Sequence, residues 1–576
     1  MIRPRTARGQ SLQALAIYAV LWIVLVGREA IVDPAHTCAC IGKGDPGLFT
    51  WSLKWWPHAI TTASNPFFTS LIWHPLQNNI PATTSVPALS LLVWPITATA
   101  GALVSLNVLW LLSATLSAWF AYRLCRYVTG AWLPSLVGGY VFGFSTYELG
   151  QMLGHLHMTA IFLVPAAVEL VLRRIDDAIG ERRFVVLMAL VFALQVGIST
   201  EVLFSGLMFG FATFVLAFWL VPDRRDAIRR TVPLVFLAGG AAMLVVSPFL
   251  YEASRGLGLH TTVDWPITAR IMSADPLNYV VPTKITWIGG GAFDSLSNKF
   301  NSASGGLGTN LSESGAYVGL PLLALAGWYL VRTWSRPASR LALAALLLIF
   351  VASLGAFLHV AEPSSLPEHD YHRMIPLPWA ALAYLPVFDH LLTVRFAMFF
   401  SLILGVVIAQ ALARPGRGTA LRWAVAGVGV LALLPSFNGP YWNGPASSTP
   451  FFEDGTYKRY LQRGEIVLTF PVLSGDGMAW QADTDFYFTQ ANGYLSGEVP
   501  PEAWNDPVLR NMLTPTGNGP IPPEQLPAAI RDYLERHHVG AVIVDPTRAA
   551  AWEPILDEVH LRKDVVGGVV IYRTDM

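Results

Sequence analysis

Long apolar runs recur along the chain, separated by short segments that carry arginine. A membrane-crossing helix needs roughly 20 mostly apolar residues. Runs of that character lie at 12–26, 102–122, 132–150, 158–172, 184–199, 202–221, 232–251, 316–331, 341–360, 395–413 and 423–437. The pattern predicts a polytopic α-helical membrane protein with about eleven transmembrane helices. Lys and Arg in short loops mark the cytoplasmic side. Nineteen of the 38 basic residues fall in the loops this places inside, from Arg3, Arg5 and Arg8 to Arg414, Arg417 and Arg422. No small-residue cleavage site follows the first run, so it is expected to be an anchor with a cytoplasmic amino terminus.

The alternation holds only if 85–101 does not cross the bilayer. Pro87 and Pro95 interrupt it, and each removes a backbone donor. It is predicted to be a broken interfacial or re-entrant segment, as is 376–392, with Pro378 and Pro386. Three long outer loops follow, at 28–84, 252–313 and 361–375. In the first, Phe49, Leu53, Trp56 and Ile60 form a helical stripe. Trp51, Trp55 and Trp56 suggest that this helix lies at headgroup level. The second is rich in Gly, Ser and Asn and is expected to be mobile or to cover substrate.

Beyond residue 437 the composition becomes that of a soluble domain. The expected division is a membrane domain over 1–437 and a small extracytoplasmic α/β domain over 438–576. In the latter, strands are predicted at 466–472, 539–544 and 565–572, and a helix at 523–538. Only 13% of residues are charged and mean hydropathy is +0.47, against about 25% charge in soluble proteins. A net charge of zero argues against a nucleic-acid partner. Three cysteines are too few for a disulfide framework. Cys38 and Cys40 suit either a small disulfide or, with His36, a metal.

No phosphate loop, dinucleotide fingerprint or nucleophile elbow stands out. Acidic residues instead gather at the predicted outer helix ends: Asp33 and Asp45, Glu148, Glu201, then Asp275 and Glu313. His155 and His157 follow Glu148, and Arg395 opens the tenth span. Ionisable groups at the membrane boundary are costly and are candidate functional residues. A partly desolvated carboxylate can act as a general base, and an arginine offers its donor fork to phosphate. Each has a plainer role open to it. Asp45 could cap the following helix, Glu201 could end a hairpin, and Arg395 could pair with Asp389. Glu169 and Arg173, one turn apart, are expected to pair within their helix.

One acid soon after the first helix (Asp45) precedes Asn65-Pro66-Phe67, Trp73-His74-Pro75-Leu76, the broken segment 85–101 and a helix end running Tyr122-Arg123 to Thr129-Gly130. This order resembles the GT-C superfamily of membrane glycosyltransferases, most clearly over residues 1–210. Ser64 precedes Asn65, Phe67 stands for the aromatic of the first turn, and His74 replaces the first proline of the second.

The resemblance implies inverting transfer of a sugar from a polyprenyl-phosphate donor to an envelope glycan, lipid or protein acceptor on the outer face of the cell membrane. It casts Asp45 as the base. Arg395, His155 and His157 would hold the donor phosphate, and Glu148, Glu201, Asp275 and Glu313 would position substrates. A divalent metal, Mg or Mn, is a further expected cofactor. Two other classes fit a polytopic chain: a lipid-linked saccharide flippase or transporter, and a non-catalytic envelope-assembly subunit. The absence of an internal repeat and the clustering of carboxylates at helix ends favour the enzyme.

Overall fold

The computed structural model describes residues 4–42, 44–255, 260–261, 272–300, 310–358, 360, 375–437, 441–495, 498–513 and 519–574. Residues 256–259, 262–271 and 301–309 of the expected Gly/Ser/Asn-rich covering loop, and nearly all of the third long loop (361–374), lie outside them.

All eleven apolar runs are helical over most of their length. Among the described residues, six helical stretches are long and apolar enough to cross a membrane: Arg8–Leu25, Ala102–Thr129, Leu156–Ile175, Thr200–Leu220, Pro222–Arg255 and Thr393–Ala413. Three more, Leu320–Arg332, Pro337–Ser353 and Thr419–Ala432, are apolar but shorter. Leu244 and Val245 are 79% and 73% exposed, a cost in water that lipid removes. The single span expected over 132–150 is instead two helices, Trp132–Gly143 and Thr146–Gln151. The chain breaks at Phe144, and the Ser145 hydroxyl accepts from the Glu148 backbone N–H to cap the second helix. The segment 85–101 forms two short helices, Pro87–Leu92 and Trp94–Ala100, each with a proline in its first turn.

The chain divides into two compact units. The first comprises Met1–Ile31, Leu109–Val246 and Asp264–Trp442, and the second Val32–Val108, Ser247–Val263 and Asn443–Met576. The expected boundary at 437 therefore misses a grouping: the first long loop belongs with the carboxyl-terminal residues. Within the first unit, small residues let helices meet closely. A Cβ on Gly138 would stand 2.6 Å from the Gly405 carbonyl oxygen, so Trp132–Gly143 and Ala397–Ala413 touch backbone to backbone. Glu169 pairs with Arg173 one turn on at 2.7 Å, as its spacing predicts, and also with Arg123 at 3.1 Å.

The second unit is built on a five-stranded sheet: β1 (Ile466–Phe470), β2 (Thr489–Gln490), β3 (Val539–Val544), β4 (Arg562–Val566) and β5 (Val569–Arg573), in the order β4-β5-β3-β1-β2. β3, β1 and β2 run parallel, and β5 pairs antiparallel with both β3 and β4. The strand expected over 565–572 is thus the turn and half of a hairpin. Gly567 and Gly568 carry φ of +56° and +86°, the double left-handed turn that only glycine adopts freely. Alternate residues serve opposite faces: Leu468, Phe470, Val542 and Val544 point into one apolar core, Val467, Ala541 and Ile543 into another.

The helix Asp45–Thr61 contributes Leu48, Trp51, Trp55 and Trp56 to the first of these cores. These tryptophans were expected at a headgroup surface, but they are buried. Each indole N–H has a partner inside the unit: Trp51 donates to Gln481 Oε1 at 2.7 Å, Trp55 to the Pro66 carbonyl at 3.0 Å and Trp56 to the Ser85 carbonyl at 2.9 Å. With the polar edge satisfied, the ring gains more from apolar packing than from an interface.

Gly44, Gly47 and Gly475 bring this helix against Gly475–Asp483. A Cβ on Gly475 would lie 1.9 Å from the Gly44 carbonyl oxygen, and one on Gly47 2.0 Å from that of Gly475. Gly475→Ala is therefore expected to cost about 1–3 kcal/mol through forced separation of the helices, read as a lowered Tm in thermal unfolding of the detergent-solubilised chain. Gly427→Ala, in a helix where a Cβ meets nothing within 4 Å, should leave Tm unchanged or raise it.

Candidate functional site

Two clusters of chemically capable residues form, one in each unit. In the first unit, Arg395 lies in the turn Thr393–Phe396 that leads into the apolar helix Ala397–Ala413. Its Nη2 and Nε donate to Glu313, at 2.6 Å to Oε1 and 3.2 Å to Oε2, and Nη1 donates to Glu201 Oε2 at 2.6 Å. The forked contact to Glu313 is the strong geometry for this pair. Glu201 stands in the first turn of Thr200–Leu220, where the helix dipole favours a carboxylate. The Glu313 side chain is 2% exposed and that of Glu201 23%, so the guanidinium has a closed side and a more open one.

Gln151 extends the cluster. Its amide donates to Glu313 Oε2 at 2.9 Å, while its Oε1 lies 2.7 Å from His155 Nδ1. His155 Nδ1 is also 3.6 Å from Glu313 Oε1, and the His155 and His157 rings are 6.3 Å apart. Two carboxylates therefore face one guanidinium, with His155 at the edge. Burial alone would push the Glu313 carboxyl up, but the Arg395 charge and hydrogen bonds, with His155 and Gln151, hold it below the usual carboxylate range.

The sequence assembles part of this cluster and misassigns part. Glu201, Glu313, Arg395 and His155 come together. Asp389 pairs with His390 at 2.7 Å instead of with Arg395. Arg395 does not wait with an open fork for phosphate: an anion would have to displace a carboxylate. Asp275 is buried and its Oδ1 accepts from the Leu277 N–H at 2.7 Å, the work of a helix cap. Glu148 is fully buried, and neither carboxyl oxygen has a hydrogen-bond partner among the described residues. Sequence reasoning missed Gln151, the last residue of Thr146–Gln151, which reaches His155 across the turn that follows.

In the second unit, Asp45 is the first residue of Asp45–Thr61 and does not cap it; Gly44 holds the cap position without a side-chain bond. Asp45 is half-buried, and the Tyr494 hydroxyl donates to its Oδ1. Burial, then the Asp45 charge and this hydrogen bond, raise the Tyr494 phenol above its ordinary range, so it remains a donor. Tyr494 lies 449 positions from Asp45, and no local pattern announces it. Asn65 Oδ1 accepts from the Phe67 N–H at 3.0 Å, and residues 71–74 align with 490–492 through Gln490 N–H to Leu71 O at 2.8 Å and Trp73 N–H to Asn492 O at 2.9 Å. The two turns after Asp45 are thus bound into the carboxyl-terminal fold.

Cys38 and Cys40 are disulfide-bonded, and His36 pairs with Asp33 at 2.7 Å, which removes that trio as a metal site. No group of three or more His, Cys, Asp or Glu that could hold a metal ion occurs among the described residues. The donor set does not fit the expected Mg or Mn, because the converging carboxylates Glu201 and Glu313 are already satisfied by Arg395.

Residues 16–431 match the family model described as "Domain of unknown function (DUF6311)". No curated protein matches. Among solved structures, the apo Archaeoglobus fulgidus oligosaccharyltransferase is similar with a TM-score of 0.53 and 13% identity over 93% of this chain and 69% of that one. The archaeal oligosaccharyltransferase AglB, from the same organism, in complex with an inhibitory peptide and a dolichol-phosphate gives 0.52 and 13%, covering 98% and 74%. The mycobacterial arabinofuranosyltransferase AftD gives 0.51 and 13%, covering 97% of this chain and 41% of that one. These neighbours are GT-C glycosyltransferases. At such identity the likeness shows a shared fold.

Removing the guanidinium should expose the cost of the charges it holds. Arg395→Gln leaves two carboxylates facing each other in a buried place, with an expected loss of roughly 3–5 kcal/mol and a clear fall in Tm. Adding Glu313→Gln should recover part of it. Because Glu313's proton affinity is depressed by folding, its stabilisation is present above the unfolded value near 4.3 and is lost as pH falls through the folded value. Tm of the wild type should therefore drop below about pH 4 more steeply than Tm of Glu313→Gln.

Proposed function

The chain belongs to the DUF6311 family, and from that premise and its fold we propose that it is a membrane glycosyltransferase. The donor is a sugar on a polyprenyl phosphate and the acceptor is an envelope glycan, lipid or protein. Transfer takes place on the outer face of the cell membrane, with the amino terminus cytoplasmic and the domain expected over 438–576 outside. The observation that best supports this is Asp45, a carboxylate soon after the first helix, held by the half-buried Tyr494 phenol.

In this mechanism a carboxylate oxygen of Asp45 removes the proton of the acceptor hydroxyl as that oxygen attacks the anomeric carbon. The bond from that carbon to the carrier phosphate breaks, the phosphate leaves with the electron pair, and configuration inverts. Tyr494 keeps the Asp45 carboxylate oriented by donating to it. Within the first unit, an anion that reaches Arg395 exchanges with its more exposed partner, Glu201, while Glu313 keeps the other side of the fork fixed. No step is assigned to a metal.

Asp45→Asn should lower sugar transfer from a radiolabelled polyprenyl-phosphate donor in membranes by about 10²–10⁴-fold, at unchanged protein level. Tyr494→Phe should cause a smaller loss. Full transfer by Asp45→Asn would sink the assignment.

A further inference from the structure

Beside the Asp45 helix, the second unit contains a small pocket that the mechanism above does not use. Pro46, Gly47 and Thr50 form one wall, so it begins within a turn of Asp45. Ser447, Ser448 and Asp483 also line it, among mostly small apolar residues such as Ala35, Ala446 and Ala479. Its volume is about 40 Å³, more than the roughly 10–15 Å³ one water needs and too little for a sugar ring.

Most of the polar groups in the wall are spent within the fold. The Thr50 hydroxyl donates to the Gly47 carbonyl at 2.9 Å and the Ser447 hydroxyl to the Gly42 carbonyl at 3.0 Å. Asp483 differs. Among the described residues it makes no ion pair, because the nearby Lys54 is taken by Asp485 at 2.6 Å. Asp483 is an exposed carboxylate with Ser448 as its neighbour, and with room beside it for one carbon bearing a hydroxyl it suits a group that can both donate and accept. A metal ion would need more such donors than converge here.

We propose that this pocket is an acceptor subsite that takes the exocyclic hydroxymethyl group of a saccharide, with Asp483 accepting its hydrogen bond and Ser448 as the second partner. This rests on the glycosyltransferase reading and names the chemical class of its acceptor. The ring lies at the pocket mouth, on the side of the first turn of Asp45–Thr61. Although Asp483 is exposed, desolvation by the protein packed around its carboxyl pushes it up to about 6; Ser448 and Lys54 work against that, and Glu453 and Asp485 with it. The charged, stronger acceptor is present above that value, so binding strengthens as pH rises through it.

The test uses the full chain in nanodiscs and saturation-transfer NMR with methyl α-D-mannopyranoside and its 6-deoxy analogue. Transfer to the C6 protons of the mannoside is expected. It should fall at least fivefold in Asp483→Asn, in Asp483→Ala and on going from pH 7.5 to 5, while Asp485→Asn keeps it. The 6-deoxy glycoside should give little signal. Equal signals from the two glycosides, unchanged signal in both Asp483 variants, no signal in the wild type, or displacement by millimolar ethylammonium would each overturn the subsite. Those failures leave the transferase assay on Asp45→Asn standing. Conversely, loss of the transferase activity claim with intact, Asp483-dependent glycoside binding would remove the enzyme and keep a saccharide site.

Discussion

The close crossing of two helix starts, at Gly44, Gly47 and Gly475, is the constraint on which the second unit depends. Without side chains there, Asp45–Thr61 and Gly475–Asp483 meet at backbone distance. That contact brings three tryptophans within reach of partners such as Gln481, and it sets Asp45 where the Tyr494 hydroxyl can hold it. Each buried indole would cost more than it contributes if its N–H were left without an acceptor. Apolar burial and hydrogen bonding therefore select the same arrangement. The first long loop is in this sense a structural part of the carboxyl-terminal fold.

The helical unit is governed by a different rule, that a buried charge must be neutralised nearby. Arg395 meets it with two carboxylates from segments far apart in sequence, and Gln151 passes the network on to His155. Two carboxyl groups share one guanidinium at this point, and the more exposed of them, Glu201, is the group an incoming ligand would meet first. Asp275, with the same residue chemistry, caps the turn at Pro276–Tyr279.

How much could be read beforehand differs by residue. The helical runs, the proline breaks at 85–101, the Glu169–Arg173 pair and the strand at 539–544 depend on local periodicity or spacing, and they are found where expected. The hairpin at Gly567-Gly568 was missed although its glycine pair is a local turn signal; the apolar run across it masked the break. The tryptophans of the first loop were misplaced because an amphipathic aromatic reads alike at a membrane surface and in a core. Only the partners of its N–H distinguish the two.

The order of residues by itself determined that this chain is a helical membrane protein with a mixed α/β carboxyl-terminal region, because hydropathy and period act over windows of a few turns. It also picked out the acids and the arginine, since an ionisable group beside an apolar run is conspicuous in one dimension. Tertiary structure alone decided which of them are partners: Asp45 with Tyr494, Arg395 with both Glu201 and Glu313, Asp483 with a pocket. Such pairings turn on distances between segments hundreds of residues apart, and electrostatic and hydrogen-bond energies fall off over a few ångströms. No pattern along the chain encodes them.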